Sequence, residues 1–304
     1  MSSLSERIYQ AQCFGNVEPI EHMVAYPNLS SLVEGATIKY SRETCFPDWE
    51  ISNASFQDRV VLAARWLQEQ GCKPGDRIQF DEVQEPTAHF LAFATWLIGA
   101  SLVLTHSPLP SEPDQPDNIK TITGPTDLVV SPPGPFQPTA VPLLGDEACF
   151  VLTRPAPVRL SHYQLLVNVN GLCSGIPVDP DNRIHAHEPL FTLSWLLTSV
   201  LLPFYARCSF TVQDPDITFN APRAKGEKSL TITSEWKNAF LPHELYLRPE
   251  TGGVLCIGGD PIHLMRMTVS AEYLAISGHG VMMGYWPEER NETVFKDHRC
   301  YISL

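Results

Sequence analysis

The segment "ISGHGVMMGYWPEERNETVF", residues 276–295, begins with apolar residues and carries three glycines within its first nine positions. The residues before it, "AEYLA", continue the same apolar pattern, so the sequence predicts a strand that ends in a glycine-flanked loop. Glycine lets the backbone approach a ligand closely, although tight turns need glycine as well. Only nine residues follow this segment before the sequence ends at Leu304.

The preceding chain alternates helical and extended patterns. Ser55 and Asp58 can cap a helix that Gly71 would end, and its apolar face would hold Phe56, Val60, Ala63, Ala64 and Leu67. A short strand "RIQF", an apolar helix "TAHFLAFATWLIGA" and a second strand "SLVL" follow in turn. This alternation predicts an α/β fold with mainly parallel sheets packed with helices.

Similar signals continue toward the carboxyl end. Ser161 and Gln164 have the spacing of a capping box at the start of the helix "SHYQLLVNVNGL". The segment "RIHAHEPLF" predicts a strand that leads into a long apolar helix. Further on, "GGVLCIGGDPI" predicts a strand that runs into the turn Gly258-Gly259.

The sequence predicts an amino-terminal segment, residues 1–54, packed on one α/β body, residues 55–304. Within that body, ten prolines lie between Ser107 and Pro142. Because proline removes backbone donors, residues 107–142 are interpreted as a loop region with at most one strand, "TDLVV". A linker between two domains is the alternative interpretation of this region.

Composition excludes several classes of protein. The formal net charge is −13, and no basic run corrects it, so we expect neither a nucleic acid nor an anionic membrane as partner. The eight cysteines stand singly, and the amino terminus lacks a signal-like pattern, which indicates reduced thiols in a cytoplasmic protein without a metal cluster. The apolar run from Leu190 to Ala206 has 17 residues with an internal proline, so a buried helix is favoured over a membrane span.

Two local patterns suggest other chemistries. His185 and His187 with Glu188 could begin a metal site, but a third ligand on the same face is not evident. Ser161 beside His162 could suggest a hydrolytic pair. A helix cap is a sufficient role for Ser161, however, and no Gly-x-Ser-x-Gly motif is present in the sequence. We therefore predict no metal site and no catalytic residues from these patterns.

Five blocks in order resemble a known family. They are "GCKPGDRIQF", "VRLSHYQLLVNV", "VDPDNRIHAHEPLFTLSWLLTSVLLPFYARCSF", "LCIGGDPI" and "AEYLAISGHGVMMGYWPEERNETVF". Together they resemble the large amino-terminal domain of the AMP-forming acyl-CoA synthetases, adenylation domains and luciferases, over roughly residues 55 to 301. The resemblance implies a fold of that kind and activation of a carboxylic acid by ATP and Mg²⁺, followed by transfer to coenzyme A or a carrier-protein thiol.

The chain departs from this family at the nucleotide site. Where the family has a Thr/Ser/Gly-rich phosphate loop ending in Pro-Lys-Gly, this chain has "LTRPAPV", and Ala156 stands in place of the lysine. Only 15 residues separate Ile262 from Gly278, and they contain no Tyr-Gly-x-Thr-Glu motif for adenine and Mg²⁺. Thr192 replaces a histidine common in the family.

The sequence stops after "CYISL", before the family's ribose-binding aspartate, hinge and small domain with its catalytic lysine. We therefore expect a truncated version of the amino-terminal domain, without a small carboxyl-terminal domain and with no cofactor assigned. It would bind an acyl or aromatic acid, its thioester or a carrier protein. The alternative is an active ligase that uses ATP and Mg²⁺ and is completed by a partner. The resemblance implies a substrate pocket formed by Thr192, Trp195, Gly258, Gly259, Asp260, Gly278, His279 and Gly280.

Overall fold

Three β-sheets and the helices packed on them make up the fold. The computed structural model describes residues 2–20, 22–105, 118–125, 136, 138, 140–220, 228–241 and 243–304. Within these ranges the strands form sheets of six, seven and four strands and a two-stranded hairpin. The predicted strand "TDLVV", residues 126–130, lies outside the described residues.

The first sheet has the order β17-β7-β6-β4-β3-β5. Its strands in chain order are β3 Arg77–Asp81, β4 Ser101–Thr105, β5 Ile119–Thr123, β6 Glu147–Leu152, β7 Val158–Ser161 and β17 Gly284–Tyr285. Strands β5, β3, β4 and β6 are parallel, whereas β7 and β17 join antiparallel. The glycine-containing segment that follows residue 276 therefore supplies an edge strand to this sheet.

The second sheet has the order β14-β13-β12-β11-β10-β8-β9. Its strands are β8 Arg183–Ala186, β9 Ser209–Phe210, β10 Ile217–Phe219, β11 Lys228–Thr233, β12 Glu244–Arg248, β13 Gly253–Ile257 and β14 Asp260–Pro261. The pairs β9-β8, β8-β10, β10-β11 and β11-β12 are parallel, and the pairs β12-β13 and β13-β14 are antiparallel. The predicted α/β class is confirmed, with antiparallel strands added at one side of each larger sheet.

The third sheet is antiparallel and holds the strand that precedes the glycine loop. Its order is β15-β16-β19-β18, and its strands are β15 Met265–Val269, β16 Tyr273–Gly278, β18 Phe295–Lys296 and β19 Arg299–Ser303. A separate hairpin joins β1 Thr44–Phe46 to β2 Ile51–Ser52. The segments "VLCI" and "YLAIS" lie in strands, as predicted, and these strands belong to different sheets.

The helices of the described residues are α1 Leu4–Gln12, α2 Ser31–Tyr40, α3 Asn53–Glu69, α4 Thr87–Leu97, α5 His162–Gly175, α6 Leu193–Trp195, a π-helical segment Leu196–Leu201, α7 Leu202–Ala206 and α8 Asn291–Val294, with 3₁₀ turns at Pro47–Trp49, Trp236–Asn238, Pro249–Thr251 and Glu288–Arg290. The helices predicted from apolar patterns are present as α3, α4, α5 and the run from α6 to α7, and the structure adds α1, α2 and α8, which were not predicted. None of the helices described is long and apolar enough to cross a membrane.

Two helix details refine the sequence predictions. The cap of α3 is Ser52, whose side chain accepts from the backbone N–H of Ser55, so the predicted caps Ser55 and Asp58 are wrong. Ser52 is extended because it ends the hairpin, and the helix therefore begins before Ser55. The predicted long apolar helix is present, but it contains a π-helical segment directly before Pro203. Since Pro203 has no N–H to donate, a wider turn accommodates it, and Leu202 N–H bonds to Leu197 O.

Candidate functional site

The glycine loop packs closely against the backbone of neighbouring segments. Gly278 has φ 130°, and a Cβ atom added there would lie 2.1 Å from the carbonyl oxygen of Leu264. A Cβ atom on Gly280 would lie 2.8 Å from the carbonyl oxygen of Thr251. Both positions therefore require glycine for packing, whether or not a ligand binds there.

His279, between these glycines, is fully buried and makes two hydrogen bonds through its ring. Nδ1 lies 2.7 Å from the hydroxyl of Tyr163, and Nε2 lies 3.2 Å from the carbonyl oxygen of Val17. Because a carbonyl can only accept, Nε2 donates to Val17, whereas the direction of the bond between Nδ1 and the Tyr163 hydroxyl depends on the tautomer of the ring. Burial raises the pKa of Tyr163 to about 12. The imidazole thus connects α5, the glycine loop and the amino-terminal segment.

The amino-terminal segment lies over the glycine loop. Gln12 Nε2 donates to the carbonyl oxygens of Met282 at 2.9 Å and Val281 at 3.3 Å. Arg7 Nη1 donates to the carbonyl oxygen of Phe295 at 2.9 Å. These contacts join the first helix to residues more than 250 positions away, and sequence reasoning did not identify them.

A cavity of about 410 Å³ lies between α1, the start of α5 and the glycine loop. Its buried side consists of polar residues, and its partly exposed side combines apolar residues from α1 and from residues 19 and 20 with Ser5, Gln12 and Glu288. Of the predicted pocket residues, His279 is in its lining. The lining residues are Leu4, Ser5, Ile8, Tyr9, Gln12, Pro19, Ile20, Gly145, Ser161, Tyr163, Gln164, His279, Met283, Glu288 and Asn291.

Thr192 and Trp195 lie in a second environment, at the start of α6. Thr192 caps this helix, because its Oγ1 accepts from Trp195 N–H at 3.2 Å, and it forms an isolated bridge to Thr105 of β4. Trp195 is fully buried, with its ring 5.3 Å from that of His89. The capping role alone explains the residue type at Thr192.

Glu188 is a polar residue of this second environment. Its carboxylate accepts from the hydroxyl of Ser194 and from the side-chain amide of Asn220. Burial raises the pKa of Glu188, and these two hydrogen bonds lower it in part. The carboxylate is therefore held in place by neutral partners.

Gly258, Gly259 and Asp260 occupy a third environment, the turn between β13 and β14. Both glycines have positive φ, and a Cβ atom on Gly259 would lie 2.6 Å from the ring of Phe240. Asp260 is exposed. The predicted pocket residues thus lie in three packing environments, and the existence of one cavity that joins them stays a prediction.

The segment expected to correspond to the family's phosphate loop is short. Strand β6 ends at Leu152 and β7 begins at Val158, so five residues, Thr-Arg-Pro-Ala-Pro, connect the two strands. Two of these five lack a backbone N–H, which leaves three N–H groups in the turn. Ala156, in the position expected for a lysine, is 8% exposed.

Glu250 is a candidate functional residue that sequence reasoning missed. It lies 2% exposed beside the glycine loop, where Tyr285 Oη donates to its Oε1 at 2.8 Å and Met282 N–H donates to its backbone carbonyl oxygen at 2.9 Å. Residues 246–250, Tyr-Leu-Arg-Pro-Glu, keep the first and last residues of the Tyr-Gly-x-Thr-Glu spacing. The Tyr-Gly-x-Thr-Glu motif was expected after Ile262, whereas the residues that match it, 246–250, precede Ile262 in the sequence.

The two remaining patterns are accounted for by other contacts. The rings of His185 and His187 lie 4.4 Å apart, and within the described residues no group of three or more His, Cys, Asp or Glu side chains could hold a metal ion. Ser161 forms the predicted capping box with Gln164. His162 Nδ1 accepts from Leu29 N–H at 3.3 Å, and burial lowers the pKa of His162 to about 4. Each side chain of the supposed hydrolytic pair therefore has a structural partner.

Comparisons with known proteins give the fold. Mycobacterium tuberculosis fatty acyl CoA synthetase superposes with a TM-score of 0.70 at 14% sequence identity, over 90% of this chain and 74% of that chain. ATP-bound MatB from Rhodopseudomonas palustris gives a TM-score of 0.71 at 15% identity, over 93% and 76%. The inhibitor-bound N-terminal domain of FACL13 from Mycobacterium tuberculosis gives 0.66 at 12% identity, over 91% and 95%.

The chain therefore has the fold of the amino-terminal domain of AMP-forming acyl-CoA synthetases, as its motifs predict. At these identities the likeness establishes the fold alone. No family model matches the chain, and no curated protein matches its sequence.

Proposed function

We propose that this chain binds an acyl or aromatic carboxylic acid, its thioester or a carrier protein that bears it, within a biosynthetic pathway, and does not form an acyl-adenylate by itself. The fold supports acyl binding, since its structural neighbours include a fatty acyl CoA synthetase. The observation that carries the second half of the proposal is the short turn at residues 153–157.

A triphosphate is held in proteins by several converging backbone N–H groups and a cation. The turn at residues 153–157 has three N–H groups and no glycine, and Arg154 supplies its single cation. Removing one preorganised donor from a site of developing charge typically lowers a rate by about 10²- to 10³-fold. A turn with so few N–H donors and one cation is therefore a poor site for adenylate formation.

Pyrophosphate exchange tests this proposal directly. We expect no acid-dependent exchange of pyrophosphate into ATP by the purified chain, and no heat of binding for ATP·Mg²⁺ in isothermal titration calorimetry. A panel of aryl and acyl acids and their thioesters, titrated in the same way, should contain ligands. Exchange above the blank with any carboxylic acid would refute the claim that the chain does not adenylate.

The alternative is an active AMP-forming ligase completed by a partner, and Glu250 is the observation that favours it. A buried carboxylate beside the glycine loop, with an Oε2 atom that lacks a hydrogen bond, could contribute to Mg²⁺ binding together with nucleotide phosphates. Glu250 is a poor Mg²⁺ ligand, however, because Arg248 Nε lies 3.4 Å from that same oxygen and its positive charge neutralises the carboxylate.

A pair of variants separates a metal-linked role of Glu250 from a packing role. Glu250→Gln removes the charge, whereas Tyr285→Phe removes the hydrogen bond to Oε1 and keeps the carboxylate. Under the alternative, wild type and Tyr285→Phe bind ATP in a Mg²⁺-dependent manner and Glu250→Gln does not. Equal behaviour of all three proteins removes the support for the alternative.

A further inference from the structure

The cavity between α1, the start of α5 and the glycine loop has no established role. Its volume of about 410 Å³ lies within the range of small-molecule sites. Part of its wall is apolar and open to solvent: Ile20 is 49% exposed and Tyr9 is 41% exposed. A burial of these side chains by a ligand would remove apolar surface from water.

The polar floor of this cavity is already satisfied by the protein itself. The Tyr163 hydroxyl is hydrogen-bonded to Nδ1 of His279, and Gln164 binds both the backbone N–H of Ser161 and the carbonyl oxygen of Val281. Asn291 exchanges hydrogen bonds with the backbone of Tyr285 in both directions. The floor therefore offers a ligand a surface to pack against and few strong hydrogen bonds.

The start of α5 offers no anion site at the cavity. The backbone N–H of His162 donates to Asp146 O at 3.2 Å, and that of Tyr163 donates to Leu144 O at 2.9 Å. The N–H of Gln164 donates to the side chain of Ser161. Because the first turn of the helix has its donors satisfied, a carboxylate would find no free N–H groups there.

The charged side chains of the described lining likewise give a carboxylate ligand no partner. Among the lining residues that the structure describes there is no lysine or arginine, and the one carboxylate among them, Glu288, lies 3.6 Å from Arg159. Each ring nitrogen of His279 already has a hydrogen-bond partner within the protein. A carboxylate in this cavity would lose water without gaining a cation or a set of donors, which is unfavourable.

The backbone is strained at the rim of this cavity. Ile20 has φ 72°, a left-handed conformation that a β-branched residue rarely adopts. A Cβ atom added at Gly145 would lie 3.8 Å from Ile20 Cδ1, which is ordinary van der Waals contact, so these two residues are neighbours at the rim. A strained, half-exposed apolar residue at a cavity is a feature often associated with ligand contact.

We infer that this cavity binds the uncharged, largely apolar acyl or aryl group of a thioester, and that it excludes the corresponding free carboxylate. This inference rests on the proposed function and deepens it, because it selects one ligand class and one location. Among the ligands proposed above, the thioester fits the cavity and the free acid does not.

Matched ligands and matched variants test the inference by isothermal titration calorimetry. The probes are the octanoyl and benzoyl thioesters of N-acetylcysteamine, each compared with octanoate or benzoate. Ile20→Trp fills the rim, and Ile38→Trp makes the same change on α2, where Ile38 is 77% exposed and outside the lining. Gly145→Leu fills the rim from the opposite side and serves if Ile20→Trp misfolds; Gly145 is not among the glycines with positive φ.

We expect a thioester to bind wild type and Ile38→Trp at least about tenfold more tightly than its acid, and to lose about tenfold or more on Ile20→Trp or Gly145→Leu. Undiminished thioester binding to both filled variants would overturn the location while the proposed acyl binding stands. Tighter binding of the acid would overturn the selectivity alone. No binding of any acid or thioester would overturn both the inference and the proposed function.

Discussion

Replacement of Gly278 by alanine tests the packing of the glycine loop, and Gly75→Ala is its control. Both glycines have positive φ, 130° at Gly278 and 81° at Gly75, so alanine at either position carries a conformational penalty of roughly 1–3 kcal/mol. The surroundings of the two residues differ. A Cβ atom at Gly75 meets nothing within 4 Å, whereas at Gly278 it would lie 2.1 Å from Leu264 O and 3.0 Å from Met265 Cα.

Relief of that overlap requires the backbone of β15 or β16 to move. Overpacking of this kind adds about 1–3 kcal/mol, so Gly278→Ala should cost about 2–6 kcal/mol in total. Gly75→Ala should cost about 1–3 kcal/mol. The variant at Gly278 is therefore expected to unfold at a clearly lower urea concentration than the control.

Urea unfolding followed by tryptophan fluorescence measures the difference. The unfolding slope should be the same for both variants, and the midpoint should be lower for Gly278→Ala. Equal midpoints would show that the loop does not pack against Leu264 as described. Gly280→Val is expected to destabilise the fold for the same reason, since its Cβ atom would lie 2.8 Å from Thr251 O.

Two further predictions concern buried polar groups. Burial alone would raise the pKa of Glu147, but hydrogen bonds and charges from Arg77 and Arg159 lower it below 4.5. This carboxylate therefore stabilises the fold above about pH 4.5, and its contribution is lost as the pH falls through the lowered pKa. Glu147→Gln should weaken the acid dependence of thermal unfolding. Parallel pH profiles of the variant and the wild type would contradict this prediction. Tyr163→Phe removes the hydrogen bond to Nδ1 of the buried His279 and should cost about 1–3 kcal/mol in urea unfolding. An unchanged midpoint would argue against the hydrogen bond.

Local signals were sufficient for much of the fold. The capping box of Ser161 and Gln164 and the stop after α3 depend on residues only a few positions apart, and both are present. The alternation of helix and strand gave the α/β class for the same reason. The π-helical segment before Pro203 was not predicted, because an apolar pattern has the same appearance in an α-helix and a π-helix.

Long-range contacts could not be predicted from the sequence. Gln12 and Met282 are 270 positions apart, and nothing in either local pattern indicates that they meet. The cavity at α1 depends on this contact. Glu250 differs, because its signal was present in the sequence as Tyr246 followed four residues later by glutamate. It was missed because the expected order of motifs placed it after the Gly258-Gly259 turn.

Retention of the glycine motif has a structural cause that does not involve a ligand. Gly278 and Gly284 both have positive φ, and a side chain at either would overlap neighbouring atoms. Met282 and Tyr285 are buried in the core, which agrees with a loop that joins the third sheet to the edge of the first. The glycines would thus be needed for folding even in a chain that binds nothing. The proposed ligand site rests instead on a feature that folding does not require, namely the half-exposed apolar rim at Ile20.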